Sequence, residues 1–423
     1  MAVWWFSEAA PLPATALLPL AVLPLLQVAT VSEAAAPYAH PVIFLFLGGF
    51  LIAQALQARG LSGRLAVAVV RAAGGRPSRT IAAFFITAAV LSLWVNNTST
   101  ALMLLPIARE VLAADEHNQQ TDWSVPLLLA VAYGCNIGGM GTLISTAPNA
   151  LTAAFLGSEY GVRIDFIQWL MFGLPLVVIG VAVGIWLLTR GLFQPPGTGG
   201  SAVLRTLPAM STAEKRTAAI ALLTALAWMF KPWLQQWLPG LHDSVIAMTG
   251  ALLLFTVARG DEPGRLLTWP EAEQLPWGVL ILFGGGLSLA SAIQGSGLAE
   301  WLASYLAFLD GMPVWLLVAC VAGFILLLTE FTSNTATTAA FLPIIGSLAI
   351  AIGLPPWQLL VPMALAASGA FMMPVATPPN AIVFGGALTI RQMVRAGFWF
   401  NLLFISLITA LSVTLLPWAI GSS

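Results

Sequence analysis

Residues 327–344 read LLTEFTSNTATTAAFLPI, and this stretch decides the fold. Eight of the ten residues from Thr329 to Thr338 are polar, and apolar sequence surrounds them on both sides. A helix that faces lipid does not carry this load, because each unsatisfied polar group in hydrocarbon costs several kcal/mol. The stretch therefore predicts a polar break inside a membrane protein, facing a cavity or neighbouring helices.

The composition is typical of an integral membrane protein. Of the 423 residues, 59% are hydrophobic and 8% are charged, whereas soluble proteins carry about 25% charged residues. Long apolar runs recur from end to end, and several approach the ~20 residues with which a helix spans a bilayer. We therefore predict an all-α polytopic membrane protein. Its net charge of −1 argues against a nucleic-acid partner.

Two other classes of membrane protein fit the sequence poorly. An intramembrane enzyme needs a nucleophile with its base, or a metal cluster. The three His and two Cys residues are isolated from one another. A channel needs a continuous polar pore, whereas the polar residues here are confined to short breaks within apolar runs. The sequence therefore predicts a transporter and not an enzyme.

The apolar pattern predicts nine membrane spans, at 13–31, 39–58, 124–157, 166–192, 214–231, 241–258, 276–297, 355–386 and 395–419. Two further apolar stretches, 79–111 and 312–352, each carry a polar cluster in the middle. The first cluster reads NNTST (96–100), and the second reads SNTAT (333–337).

The basic residues indicate how these two stretches lie. If each is a re-entrant hairpin, 14 of the 16 Lys and Arg residues share one side of the membrane. If each crosses as a single span, the split is 9 against 7. Because basic residues concentrate in cytoplasmic loops, we predict two hairpins that open to opposite sides of the plasma (inner) membrane, with an extracytoplasmic C-terminus. The cytoplasmic set is Arg59, Arg64, Arg71, Arg76, Arg79, Arg109, Arg190, Arg205, Lys215, Arg216, Arg259, Arg265, Arg391 and Arg395; the remaining two residues are Arg163 and Lys231.

The two halves of the chain resemble each other. Residues 45–66 match residues 282–303 at 11 of 22 positions without a gap, at an offset of 237. The same offset aligns the two polar clusters, so that Asn97 corresponds to Asn334. Further on, TAPNA (146–150) matches TPPNA. Matched polar residues are not explained by two apolar helices of similar composition.

Because the two hairpins open to opposite sides, the pattern predicts an inverted-topology repeat with two re-entrant hairpins and two broken helices. The first repeat is 1–192 and contains the hairpin 79–111. A cytoplasmic linker covers 193–213, and the second repeat, 214–423, contains the hairpin 312–352. In secondary transporters such repeats place substrate and ions at broken helices near the midplane.

Four polar breaks are expected to converge, at 96–100, 144–149, 332–337 and 376–380. The prolines in the second and fourth breaks interrupt helices. Half-helix N-termini carry roughly +0.5 charge, and Asn and Thr add donors, so together they suit a small carboxylate. Freed carbonyls and side-chain oxygens suit a sodium ion, since no Lys or Arg lies within the breaks. Alternatively, the same residues only cap helices or join them.

Glu330 is a separate case. An ionisable residue at membrane depth is a functional candidate by default, and proton coupling is one such role. Its repeat partner is Leu93, however. A residue found in only one repeat favours a structural role, with hydrogen bonds to backbone groups or hydroxyls.

Three stretches, SNTATTAAFLPI, PVATPPNAIVFG and WVNNTSTALMLLP, resemble the signatures of the divalent anion/sodium symporters, which transport di- and tricarboxylates. The resemblance covers nearly the whole chain. It implies a homodimer in which a scaffold part holds the dimer while a transport part carries both hairpins across the membrane, an elevator mechanism. It also implies substrate contacts by Asn97, Thr98, Asn334, Thr335, Thr377 and Pro378.

The resemblance further implies one sodium ion at each hairpin. The first would be held by Ser92, Asn96, Asn97 and a carbonyl near Ser145. The second would be held by oxygens of Thr329, Thr332, Asn334 and Ala376.

The chain departs from the family pattern at three places. Asn96 stands where the family usually has Ser; its oxygen can still ligate sodium, but the reach of the side chain differs. Ala147 replaces one of two prolines in the second break. Family members typically have eleven spans, so the opening MAVWWFSEA leads us to expect an N-terminal truncation or a miscalled start.

The function expected from these residues is sodium-coupled symport of a C4 dicarboxylate such as succinate. Two alternatives stay open: a sodium-independent exchanger of dicarboxylates, and a symporter of sulfate or a tricarboxylate.

Overall fold

The computed structural model describes residues 1, 3–4, 9–74, 76–113, 123–195, 209–305, 309 and 311–421. Within them every regular element is a helix, apart from an isolated bridge between Ala258 and Arg265. The all-α prediction is therefore confirmed. Most of the predicted linker 193–213, with Arg205, and residues 2 and 5–8 of the opening motif lie outside the described residues.

The described residues form sixteen helices of eight or more residues. The first eight are α1 Leu18–Leu25, α2 Pro41–Ala58, α3 Leu61–Ala72, α4 Pro77–Ser92, α5 Asn97–Ala113, α6 Ser124–Gly138, α7 Ala147–Tyr160 and α8 Phe166–Trp186. The other eight are α9 Thr212–Met229, α10 Asp243–Thr256, α11 Trp277–Gly295, α12 Val314–Thr329, α13 Asn334–Ala351, α14 Trp357–Ala367, α15 Pro378–Ala387 and α16 Ile390–Thr414. Shorter helical segments are Leu12–Thr15, Val31–Ala35, Ala36–Ala39, Leu187–Gly191, Lys231–Leu234, Trp269–Ala272, Leu298–Ser304, Pro374–Ala376 and Leu416–Ile420.

Membrane-spanning length is reached in five places within the described ranges. The helical stretches that are long and apolar enough to cross a membrane are Val31–Ala58, Phe166–Gly191, Trp277–Gly295, Asn334–Ala351 and Ile390–Thr414. These helices support a multi-pass membrane protein.

The structure corrects the predicted span 13–31. Its apolar helical stretch ends at Leu25 and is interrupted after Thr15. The ring of Pro19 would clash with the carbonyl of Thr15 in a continuous helix, which explains the interruption. The predicted spans 124–157 and 355–386 are also interrupted, at 139–146 and 368–377, and there the sequence had predicted it.

Eight helices form a central group with a repeated packing pattern. Each hairpin's two helices pack against the helix before the next break, so α4 and α5 contact α6, as α12 and α13 contact α14. The helices after the second and fourth breaks then cross over: α7 packs against α13, and α15 packs against α5. We call α4–α7 and α12–α15 the central group.

A second group of helices flanks the first. Helix α2 packs against α9, α10 and α11, and α11 also contacts α7 and α13 of the central group. We call α2 and α9–α11 the flanking group. Helices α12 and α13 begin 237 residues after α4 and α5, the offset at which the two halves of the sequence match. Whether each hairpin returns to the side it entered from stays a prediction.

Ion pairs fix the positions of three of the basic residues. Arg64 Nε lies 2.8 Å from Glu214 Oε1, at the ends of α3 and α9. Arg59 pairs with Glu271 just before α11. Lys231, predicted on the opposite side, lies 3.0 Å from Asp243 Oδ1. The end of α2 and the segment before α11 therefore lie together.

Candidate substrate and sodium sites

The first break joins α4 to α5. Asn96 caps α5, because its Oδ1 accepts a hydrogen bond from the Ser99 backbone N–H at 2.8 Å. Asn97 is the first residue of α5, and its Oδ1 is buried with no hydrogen-bond partner among the described residues. A buried oxygen without a partner is costly, so this atom is a candidate ligand for a cation. Thr98, the next predicted ligand, is partly exposed.

The side chain of Asn97 lies against the second break. A Cβ atom added to Gly139 would lie 2.6 Å from Asn97 Nδ2 and 2.7 Å from Oδ1. The approach therefore needs a glycine at this position. The Thr142 hydroxyl donates to the Leu93 carbonyl at 2.7 Å. These contacts bring the first and second breaks together, as the sequence predicted.

Two side chains hold the backbone of the second break. Asn149 Nδ2 donates to the carbonyls of Gly139 and Thr142, at 3.0 and 2.8 Å. The Ser145 hydroxyl donates to the same two carbonyls, at 2.5 and 2.7 Å. The loop that carries the predicted carbonyl ligand is therefore ordered by its own polar side chains.

The third break joins α12 to α13, and two predicted sodium ligands flank it. The Thr329 hydroxyl donates to the Ala367 carbonyl at 3.2 Å. The Thr332 hydroxyl donates to the Leu328 carbonyl at 2.9 Å and lies 2.7 Å from the Thr337 hydroxyl. Each hydroxyl therefore bonds inside the protein, while its oxygen keeps lone-pair capacity for a cation.

Asn334 begins α13 as Asn97 begins α5, but its side chain is oriented differently. Its Oδ1 accepts hydrogen bonds from the Thr335 backbone N–H at 2.7 Å and from the Thr335 hydroxyl at 3.1 Å. Asn334 and Thr335 therefore contact each other, whereas the equivalent oxygen of Asn97 faces the second break.

Glu330 ties the third break to the fourth. It is fully buried, and its carboxylate accepts backbone N–H bonds from Phe371 at 3.0 Å, from Met372 at 3.0 Å and from Met373 at 2.8 Å. Asn401 Nδ2 of α16 donates to the same carboxylate at 2.7 Å. The hydrogen bonds to backbone groups agree with the structural role that the sequence favoured.

The fourth break carries two predicted substrate ligands. Thr377 is buried, and Pro378, the first residue of α15, is exposed. Asn380 Nδ2 donates to the carbonyls of Ala370 and Met373, at 3.2 and 3.1 Å. Ala376, whose carbonyl is a predicted sodium ligand, is buried.

Sequence reasoning missed the two asparagines that hold the broken helices. Asn149 and Asn380 each bond the carbonyls ten and seven residues before them. The signal was present, because each residue follows a proline in the matched motifs TAPNA and TPPNA. The pattern was interpreted as a helix break alone. The structure shows that the side chain after the proline binds the freed carbonyls.

The second and fourth breaks meet in the middle of the central group. Asn136 Nδ2, near the end of α6, donates to Thr377 Oγ1 at 3.1 Å. The Thr146 hydroxyl lies 3.3 Å from the Ser368 hydroxyl, just after α14. Contacts therefore run from the first break to the second, from the second to the fourth, and from the fourth to the third. This chain of contacts joins all four polar breaks.

The oxygen set suits a hard monovalent cation. Asn97 Oδ1 lacks a hydrogen-bond partner in the part of the chain that the structure describes, and Asn149 Oδ1 and Asn136 Oδ1 share this property. Ser92 is fully buried beside the Cys135 thiol. Asn96, in contrast, uses its Oδ1 to cap α5. Of the first-site residues, Ser92 and Asn97 each have a buried side-chain oxygen with no hydrogen-bond partner among the described residues.

The comparison with known families decides the identity. A family model described as the sodium:sulfate symporter transmembrane region matches residues 1–420. This chain belongs to that family. The predicted family, the divalent anion/sodium symporters, is therefore confirmed, and the chain is a transport protein and not an enzyme.

Relatives of this symporter-family chain carry a more specific name. It is 37% identical over 443 residues to a sodium-dependent dicarboxylate transporter, SdcS, of Staphylococcus saprophyticus. It is 36% identical over 446 residues to the protein of that name from Staphylococcus aureus strain USA300. Both alignments cover 100% of this chain and 85% of the relative.

Two solved structures share the fold. The Alcanivorax borkumensis YdaH transporter superposes with a TM-score of 0.66, covering 91% of this chain and 86% of that one at 16% identity. Neisseria gonorrhoeae MtrF superposes with a TM-score of 0.65, covering 99% of this chain and 96% of that one at 10% identity. At these identities the likeness extends to the fold alone.

Proposed function

We propose that this chain is a secondary active transporter that couples sodium entry to the uptake of C4 dicarboxylates such as succinate. The observation that carries the proposal is the chain of contacts joining the four polar breaks, with the buried, unpartnered Asn97 Oδ1 among them. The relatives named as sodium-dependent dicarboxylate transporters support the same substrate and ion.

The substrate is held by neutral groups at helix N-termini. Helices α5 and α13 begin at Asn97 and Asn334, so each points backbone N–H groups and a positive dipole end at the breaks. Helix α15 begins with two prolines, which have no N–H, and contributes the positive end of its dipole. Asn97, Thr98, Asn334 and Thr335 hydrogen-bond the carboxylates, and Pro378 packs against the anion beside Thr377.

Sodium ions supply the positive charge that the substrate needs. The first ion is bound by Asn97 Oδ1 with Ser92, Asn96 and a carbonyl near Ser145. The second is bound by Thr329, Thr332, Asn334 and the Ala376 carbonyl. Because substrate and sodium attract each other within the site, each tightens the binding of the other by the same factor.

The two helix groups suggest how the site moves. The central group carries all four breaks and is the transport part, while α2 and α9–α11 form the scaffold of a homodimer. The site crosses the plasma membrane as the central group slides along α11 and α2, an elevator mechanism. The predicted arrangement places the linker in the cytoplasm and the C-terminus outside.

Uptake into proteoliposomes tests this function. With wild-type protein, an inward sodium gradient should drive succinate accumulation, and a potassium gradient should not. Equal exchange of succinate in both cases would favour a sodium-independent exchanger. Because the family is named for sulfate, sulfate and a tricarboxylate are included as competitors; their transport in place of succinate would reassign the substrate.

Four substitutions test the site itself: Asn97→Ala, Thr98→Ala, Asn334→Ala and Thr335→Ala. Each removes a hydrogen bond to a charged ligand, worth ~1.5–3 kcal/mol, so succinate affinity should fall about 10- to 150-fold. The matched control is Thr249→Ala, whose hydroxyl bonds its own helix at the Val245 carbonyl. Unchanged succinate affinity in all four variants would show that these residues cap helices and do not bind the substrate.

A further inference from the structure

A cleft of ≈ 250 Å³ separates the tip of the first hairpin from the flanking group. The hairpin side is formed by Asn96, Thr98 and Ser99, and the flanking side includes Gln54 and Gln57 of α2. Its remaining lining residues are Phe50, Ala53, Val95, Gln274, Leu275 and Pro276. None of these described lining residues is charged. The cleft adjoins Thr98, a residue assigned above to the substrate.

The three glutamine amides of this cleft have no hydrogen-bond partner among the described residues. Gln54 and Gln57 are nonetheless partly buried, while Gln274 is exposed. Three amides from two separate segments, α2 and the residues before α11, therefore converge on one cleft without bonding each other. Partly buried polar groups of this kind are expected to face a polar ligand or water.

The equivalent side chains of the second repeat, in contrast, have hydrogen-bond partners. Gln54 and Gln57 correspond, at the offset of 237, to Ser291 and Gln294. The Ser291 hydroxyl donates to Glu159 Oε1 at 2.6 Å, and Gln294 Oε1 accepts from the Ser347 hydroxyl at 3.4 Å. The second repeat thus bonds these side chains to the central group. The first repeat leaves its amides open to the cleft.

The chemistry of an amide narrows the choice of ligand. A primary amide both donates and accepts hydrogen bonds, as a hydroxyl group does, whereas a carboxylate only accepts. The two carboxylates of the substrate are assigned above to the hairpin tips. With both carboxylates held there, the group of such an anion left to face Gln54 and Gln57 would be a substituent on the carbons between its carboxylates.

We propose that Gln54 and Gln57, with Gln274, form a specificity subsite that hydrogen-bonds the hydroxyl group of a 2-hydroxy C4 dicarboxylate. This inference rests on the proposed function, because it uses the anion held at Thr98. The subsite selects malate over succinate while the hairpin tips bind the carboxylates that both anions share.

Transport kinetics of the reconstituted full chain test the subsite with three C4 dicarboxylates: succinate, malate and fumarate, which like succinate has no hydroxyl. In Gln57→Leu and in Gln54→Leu the KM for malate should rise about 10-fold more than the KM for succinate. The KM for fumarate should change as that for succinate does. The matched control, Gln294→Leu, alters the equivalent residue outside the cleft and should leave the malate-to-succinate ratio as in the wild type.

Gln57→Met is the second variant, because it keeps the length of the side chain and adds no charge if the leucine variants fail to fold. It removes the amide donor and acceptor, so malate should again lose more affinity than succinate in calorimetry of purified protein. Equal loss for all three anions, or no loss, would overturn the subsite. Failure of wild-type protein to accumulate any of them with sodium would instead overturn the proposed function.

Discussion

The first and second breaks form one pair, and the third and fourth breaks form another. The backbone is arranged alike in the two pairs, but different side chains connect the two breaks within each pair. In the first pair, Leu93 packs directly against Gly141, and the two contact positions are apolar. In the second pair, the equivalent residue is Glu330, whose carboxylate accepts the N–H of Met372, the equivalent of Gly141, and those of its two neighbours. The same position joins hairpin to broken helix in both repeats.

The backbone explains why only one half needs a carboxylate. In the first pair, the N–H groups of Met140 and Gly141 bond the carbonyls of Ile137 and Gly138 within a continuing turn. In the second pair, the chain leaves the turn earlier, and the N–H groups of residues 371–373 bond Glu330 instead. A repeat can therefore conserve its geometry while one copy adds a buried charge.

The largest expected loss of stability is that of Glu330→Leu. This substitution places in the second pair of breaks the residue type that Leu93 provides in the first. It leaves the partly buried N–H groups of Met372 and Met373 without their acceptor, while the Phe371 N–H keeps Asn401 Oδ1. Each charge-assisted bond that is lost is worth ~1.5–3 kcal/mol. We expect a loss on the order of several kcal/mol in folding free energy, with little folded protein recovered. Thermal unfolding of purified protein measures this.

The controls separate charge from shape. Glu330→Gln keeps one acceptor and should lose less stability, and Leu93→Met should cost less than ~1.5 kcal/mol because it conserves volume. If Glu330→Leu unfolds at the wild-type temperature, the carboxylate does not join the breaks and the comparison above is wrong.

A smaller loss of stability is expected from Gly139→Ala. The equivalent of Gly139 in the second repeat is Ala370. The added methyl of Gly139→Ala would lie 2.6 Å from Asn97 Nδ2. It must push that side chain away, and overpacking of this kind costs about 1–3 kcal/mol of folding free energy. Because the Asn97 oxygen then leaves the proposed first sodium site, sodium affinity should fall about 5-fold for a lost contact of ~1 kcal/mol, measured by calorimetry at fixed succinate.

The mirror substitution is the control for Gly139→Ala. Ala370→Gly removes a methyl where Asn334 Oδ1 bonds Thr335 instead, so sodium affinity should change much less. Equal effects of the two substitutions would mean that Asn97 is not oriented by its contact with Gly139.

The sequence predicted the breaks because their signals are local. Prolines and runs of Asn and Thr interrupt apolar stretches wherever they occur, and Asn97 and Asn334 could be chosen from them. The hydrogen-bond partners of these residues could not be predicted, because they depend on the packing of segments that are far apart in the sequence. Glu330 was expected to bond backbone groups, but Phe371, Met372 and Met373 lie some forty residues away. Gln54 and Gln57 gave no signal within the apolar α2, since their importance depends on the hairpin tip across the cleft.

The smallest expected changes are in sodium affinity, and they distinguish the two proposed sodium sites. Thr329→Ala removes a hydroxyl oxygen at the second site, where the family's Ser333-Asn334-Thr335 pattern is intact. Ser92→Ala removes one at the first site, where Asn96 departs from the pattern. One ligand hydrogen bond or contact is worth ~1 kcal/mol, so we expect sodium affinity to fall about 5-fold in Thr329→Ala and less in Ser92→Ala.

Asn96→Ser sharpens the same comparison, because it restores the family residue at the first site. Asn96 Oδ1 already caps α5 through the Ser99 N–H, and a serine can cap that helix equally well. The substitution should therefore raise sodium affinity or leave it unchanged. Calorimetric titration of succinate at several sodium concentrations, with potassium as balance, measures both sites through their reciprocal coupling. A larger loss in Ser92→Ala than in Thr329→Ala would reverse the order of the two sites, and succinate affinity independent of sodium would remove ion coupling altogether.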